Sequence, residues 1–222
     1  MKFVRIVVEA AKTYYDEAFN LMMMGAVTVL SCLLIIPGPF AFGGLWAVAQ
    51  RAVRGYGIKW HIYWDGVKKY GLRNFFLVLI LIFGYVIGLS NLWFYLTPEV
   101  SPLPENLTVW ILPVWIVFTL IWTGILFYAN AFLAELKEPK ILAILRNSLF
   151  LTVLHPLTTL LLIVLAILLL AISVIIPVLI LITPAMILTL RLTATRMLVQ
   201  ATIEKHDAMQ EQTAEDTELE GT

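Results

Sequence analysis

The sequence predicts an all-α fold: a polytopic membrane helical bundle, six helices in three hairpins, with amphipathic helices on the membrane surface. Three observations carry this reading. Of 222 residues, 61% are hydrophobic and 14% charged, with a mean hydropathy of +0.91. Soluble domains hold about 45–50% apolar and about 25% charged residues, so this chain has too little polar surface for a water-facing globule. Apolar runs also recur at the length of a bilayer, whose hydrocarbon core of about 30 Å takes roughly 20 residues of helix. Finally, the basic residues fall into alternate connections. The composition excludes an ordinary soluble enzyme and a free nucleic-acid binder. Fifteen basic and fifteen acidic residues cancel, and one cysteine permits no intrachain disulfide or multi-cysteine metal site.

The N-terminal segment is amphipathic. Phe3, Val7, Ala10 and Tyr14 share one helical face, and Lys2, Arg5, Glu9, Lys12 and Asp16 form the other. Arg5/Glu9 and Lys12/Asp16 are spaced to pair across one turn, which fits an interfacial helix on the cytoplasmic face. The first apolar run is 18–36, which we expect to remain uncleaved: the segment before it is long and partly acidic, unlike a signal peptide. Pro37, Gly38 and Pro39 then form a turn, because proline lacks an N–H and restricts the residue before it. A second helix, 39 to about 55, has an apolar reach of only roughly 18 Å before Arg51. It is either a short span or a re-entrant helix. Residues 59–70 form another amphipathic stretch, with Trp60, Trp64 and Val67 opposite His61, Asp65 and Lys68. Its aromatic rings suit the headgroup zone.

Runs 74–96 and 107–131 are clear spans joined by a connection holding Pro98, Pro102 and Pro104. The stretch 147–190 carries no formal charge and would reach roughly 66 Å as one helix. It must fold back, and Pro177 places the break near 173–177, giving helices 149–172 and 177 to about 198. This makes one membrane domain, 1–203. The tail, 204–222, has seven acidic residues and no periodic apolar pattern, so it is expected to be disordered.

Sidedness supports the count. Lys2, Arg5 and Lys12 precede the first span; Arg51, Arg54, Lys59, Lys68, Lys69 and Arg73 lie between the second and third. Lys137, Lys140 and Arg146 lie between the fourth and fifth, and Arg191, Arg196 and Lys205 on the C-terminal side. Basic residues mark cytoplasmic connections, so both termini are expected to be cytoplasmic.

Polar groups within spans are the functional pointers of a membrane protein. Here they are Asn20, Asn91, Asn130 and His155, the last followed by Pro156. Read as a continuation from Asn147, His155 lies roughly 12 Å into its helix, with no His, Asp or Glu at similar depth in a neighbouring span. It is expected to hydrogen-bond between helices. Gly84 and Gly88, with Asn91 a turn on, make a GxxxG face, and Gly43 with Ala47 repeats the spacing; small residues let helices approach closely, so these are packing positions. Leu72-Arg73-Asn74 and Leu145-Arg146-Asn147 both open a span, a three-residue echo of internal duplication. The chain has no phosphate-cradling glycine loop, HExxH or GxSxG, and no paired intramembrane carboxylates. No enzyme, cofactor or metal function is expected, and the bilayer is the expected partner.

Asn20, Pro37-Gly38-Pro39, Gly44-Leu45-Trp46-Ala47, Arg51 to Arg54, the aromatic stretch with Asp65, and Arg73-Asn74-Phe75 together resemble the YesL-like family of small bacterial integral membrane proteins, a domain of unknown function. The resemblance is densest over 20–80. Arg146-Asn147 and His155-Pro156 follow it less specifically, and Pro39-Phe40-Ala41 departs from the family's proline-alanine stretch. Members are often encoded beside carbohydrate-uptake systems. The resemblance therefore implies an accessory role in carbohydrate transport, with membrane transport proteins as partners. It implies no catalytic residues. The alternative is a small solute transporter or channel acting as an oligomer, which requires Asn20, Asn91, Asn130 and His155 to converge on one cavity.

Overall fold

A computed structural model describes residues 2–34, 36–97, 105–137 and 140–220, with the backbone alone at 105–106, 211 and 213–220. Of the described residues 91% are helical and none lies in a strand. Its helices are α1 (Lys2–Asp16), α2 (Ala18–Cys32), α3 (Pro37–Val53), α4 (Trp60–Leu96), α5 (Glu105–Glu135), α6 (Ile141–Leu154), α7 (Pro156–Ile175) and α8 (Thr183–Glu220). A short 3₁₀ segment, Pro177–Leu181, joins α7 to α8. Helices α4, α5 and α7 are long and apolar enough to cross a membrane. The prolines expected between the third and fourth spans lie outside the described residues.

The expected elements differ from the observed ones where proline or continuity decides. Pro37, Gly38 and Pro39 form the first turn of α3 rather than a turn before it. The missing proline N–H would be unpaired in a first turn anyway. Gly38 lets that turn pack tightly on the end of α2, since a Cβ there would lie 3.0 Å from the Cys32 Sγ. The amphipathic stretch at 59–70 and the span at 74–96 are one helix of 37 residues. Nothing between them breaks a helix, and extending one costs less than nucleating another. By contrast, 149–172 is divided: α6 ends at Leu154, and His155 takes φ −129°, ψ 55°, because a proline disfavours helix in the residue before it. The tail is helical through Glu220. Its Glu, Gln, Ala and Met residues favour helix, and they continue a helix already formed.

Helix α3 sits at the centre. Ala41, Gly43, Gly44, Ala47, Ala49 and Ala52 make it thin, and they are all buried. Its neighbour α4 answers with Gly66 and Gly71. A Cβ on Gly43 would lie 2.8 Å from the Gly71 N, and one on Gly66 would lie 2.4 Å from the Ala47 Cβ. The first half of α4 therefore lies antiparallel along α3, backbone near backbone. Its second half packs on α5 through Gly84 and Gly88. The Trp122 ring fills the space over Gly84 and donates from Nε1 to Leu81 O at 2.9 Å. Thr119 covers Gly88. The GxxxG face is thus spent on packing within the chain.

Outside this core the usual polarity is inverted. Phe76, Ile82, Phe83, Val86 and Trp93 on α4, Trp110 and Val114 on α5, and Leu160, Ile167 and Leu168 on α7 are exposed. Polar groups turn inward instead. Thr28, Thr159 and Thr202 each donate to a carbonyl of their own helix, Met24, His155 and Leu198. With those protons committed, the hydroxyl oxygens accept across helices. Tyr63 donates to Thr28 and Tyr128 to Thr159, each at 2.9 Å.

Candidate functional site, a buried arginine and the polar end of the bundle

Arg191 is the most unusual group in the structure. It was assigned above to the cytoplasmic side of the last span. Instead it lies roughly 12 Å along α8 from Thr183 and is buried, 9% exposed. Its Nε donates to Phe127 O at 2.5 Å and its Nη2 to Leu126 O. The guanidinium carbon lies 5.1 Å from the centre of the Trp46 ring and 5.6 Å from that of Phe127. Among the described residues no carboxylate pairs with it; the ion pairs there join Glu135 to Arg54 and Arg196. A charge buried without a counter-ion is costly. Here two carbonyl dipoles and an aromatic face take the place of the carboxylate. Arginine suits that task because its planar fork reaches two acceptors at once while its delocalised charge lies over a ring. One side chain thereby ties α3, α5 and α8 together.

Further along the same helices is a second polar group. Glu135, at the end of α5, binds Arg54 at 2.8 Å, and its Oε1 lies 4.0 Å from the Arg196 Nε. The longer contact is a charge attraction beyond hydrogen-bond reach, and Oε1 has no hydrogen-bond partner among the described residues. Arg196 donates to Val53 O at 2.9 Å, and the Gln50 side chain to Ala134 O at 2.5 Å. Gly55, at φ +73°, turns the chain out of α3. Beside that turn a cleft of about 380 Å³ opens between α3 and the charged half of α4, lined by Arg51, Arg54, Tyr56, His61, Asp65 and Lys69. Arg51 rests on the Tyr56 ring at 5.6 Å and Lys69 on Tyr70 at 4.9 Å.

The polar residues singled out from the sequence have separate partners. Asn20 donates to Glu17, the residue before α2, at 3.0 Å, and Asn91 to Ile87 O of its own helix at 2.8 Å. The Asn130 Oδ1 is buried, with no partner among the described residues. His155 meets Thr202 at 3.2 Å. Because the Thr202 proton goes to Leu198 O, the His155 Nε2 is the donor in that bond. Thr202 lies roughly 29 Å along α8 from Thr183, about one hydrocarbon thickness. His155 is therefore at the end of the α7–α8 hairpin beside Lys2 and Lys205 and not midway along a span. Burial, then those two lysines, lower its pKa from the ordinary 6.5.

Asn74 is fully buried and donates to Pro39 O at 2.5 Å, fixing the start of α3 against α4. In the sequence it stands out only through the Leu72-Arg73-Asn74 echo and the Arg73-Asn74-Phe75 motif of the resemblance. It missed the role of Arg191, although the signal is present: Ile187, Leu188, Leu190, Leu192 and Ala194 surround a single charge. No group of three or more His, Cys, Asp or Glu able to hold a metal ion occurs among the described residues. Comparison with family models, curated proteins and solved structures finds no match for this chain.

Proposed function

We propose that the chain is a non-enzymatic accessory protein of a bacterial cytoplasmic membrane, holding another membrane component through its polar end. The observation that supports this most is the placement of the accessible polar groups. Arg51, His61, Asp65 and Lys69 line an open cleft at one end of the bundle, while the exposed flanks of α4, α5 and α7 are apolar. A surface of mixed charge at the membrane edge suits a protein partner. In this reading six helices enter the bilayer in three hairpins, both termini are cytoplasmic, and the cleft faces the cytoplasm. A link to carbohydrate uptake rests on the YesL-like resemblance alone.

The transporter or channel alternative needs Asn20, Asn91, Asn130 and His155 around one path. No hydrogen bond joins any two of them, which favours the accessory reading. Co-purification from native membranes tests it. A partner recovered by the wild type should be lost when Arg51 and Lys69, both exposed, are replaced by Glu. Deletion should also lower sugar uptake. Solute flux through the purified protein in proteoliposomes, with no partner recovered, would establish the alternative.

A further inference from the structure

Where α1, α6 and α8 meet, a cavity of about 490 Å³ opens at the surface. Lys2 enters it from α1, His155 from the α6–α7 junction, and Lys205 and His206 from α8. No carboxylate among the described residues lines it, although Glu204 and Asp207 flank those two α8 residues in sequence. Its other wall is apolar, formed by Phe150, Leu154 and Ile203. The cleft beside α3 differs in its charge, since it contains Asp65 and its Arg54 is already paired with Glu135.

We infer that this cavity binds an anionic phospholipid, with the phosphate between Lys2 and Lys205 and an acyl chain along Phe150 and Leu154. The charge is of one sign and stands at the mouth of an apolar surface. A headgroup joined to a hydrocarbon tail matches both parts, whereas a free phosphate matches only the first. His155 stands at the same wall, its Nε2 taken up by Thr202, so the two lysines supply the contacts to the phosphate. Basic pockets beside membrane helices select anionic headgroups in this way. The leaflet occupied follows from the proposed orientation; the ligand chemistry does not depend on it.

Native mass spectrometry of the detergent-purified chain, titrated with phosphatidylglycerol and phosphatidylcholine, tests this. The wild type should prefer phosphatidylglycerol by about tenfold or more, and replacing both Lys2 and Lys205 by Ala should weaken that lipid by about twenty-five-fold, at about fivefold per basic residue. Both side chains are exposed, so folding should be preserved. The equally charged loss Lys59→Ala with Lys68→Ala, outside the cavity, should leave affinity unchanged. Excess glycerol 3-phosphate should not displace the lipid. The inference fails if the two lipids bind alike, if the two double variants behave alike, or if the soluble phosphate competes.

Discussion

The Arg191 guanidinium lies over the Trp46 ring at the centre of the bundle, with its carbon 5.1 Å from the ring centre. One belongs to α8 and the other to α3, the helix around which the chain packs. This contact and the two carbonyls of α5 decide what a substitution should do. Arg191→Ala removes two charge-assisted hydrogen bonds but leaves Leu126 O and Phe127 O within a helix. A loss of about 2–3 kcal/mol is expected, lowering Tm in detergent by roughly 4–12 °C. Arg191→Lys should recover little of this, because a point charge cannot serve both carbonyls while resting on the ring. Arg191→Met should lie nearer the wild type, since it fills the space without a buried charge. If Lys restores the full Tm, the fork geometry is irrelevant.

Gly84 and Gly57 should respond oppositely to the same methyl group. A Cβ on Gly84 would fall 2.0 Å from the Trp122 ring, whereas one on Gly57 meets nothing within 4 Å. Gly84→Ala must displace the indole and break its bond to Leu81 O, at a cost of about 1–3 kcal/mol. Gly57→Ala should change Tm little. Because this face is spent within the chain, neither substitution should alter the mass measured by light scattering. A change of oligomer with Gly84→Ala and no loss of Tm would show that the face serves association.

His155 should make stability fall in mild acid. Its pKa in the fold is below the ordinary 6.5, through burial and then through Lys2 and Lys205. Above 6.5 both folded and unfolded chains hold it neutral, and its contribution is complete. As pH falls below 6.5 the unfolded chain takes up the proton first, so that contribution is lost down through the lower folded value. In a zwitterionic detergent, the Tm difference between wild type and His155→Gln should shrink from pH 7.5 to pH 5. Lys2→Ala should weaken this trend. A difference that stays constant with pH would refute it.

Much of the helical pattern is legible in the sequence because bilayer length and proline act locally. The start of α2 and the end of α4 follow from runs and breakers that any reader can place. The site is less legible because it depends on distant pairings. Nothing near Arg191 in sequence names Trp46 or Phe127 as its neighbours. Basic residues were therefore counted as loop markers, and a structural arginine was counted with them. His155 fails for a related reason. Counting its depth from Asn147 assumed a straight helix, whereas Pro156 divides that helix and leaves His155 at an end.

The Asn74–Pro39 bond predicts how far the α2–α3 hairpin reaches. It sets the start of α3 level with the point where α4 leaves its charged half. Phe40 stacks on Phe75 at 5.4 Å, holding the same register. Beyond that level, α4 continues over residues 75–96, roughly 33 Å, enough to cross the hydrocarbon core alone. The hairpin helices have 15 and 17 residues, roughly 22 and 25 Å, both short of that core. The tip should therefore stop short of the far side of the bilayer. Cys32 reports on this directly, being the sole cysteine and exposed at the end of α2. A membrane-impermeant maleimide added outside sealed spheroplasts should leave Cys32 unlabelled, while a Cys32→Ser, Thr97→Cys variant, with its thiol at the far end of α4, should react. A lipid-soluble maleimide should label Cys32, confirming that the thiol is accessible. Labelling of Cys32 from outside by the impermeant reagent would instead make α2 and α3 a complete pair of spans.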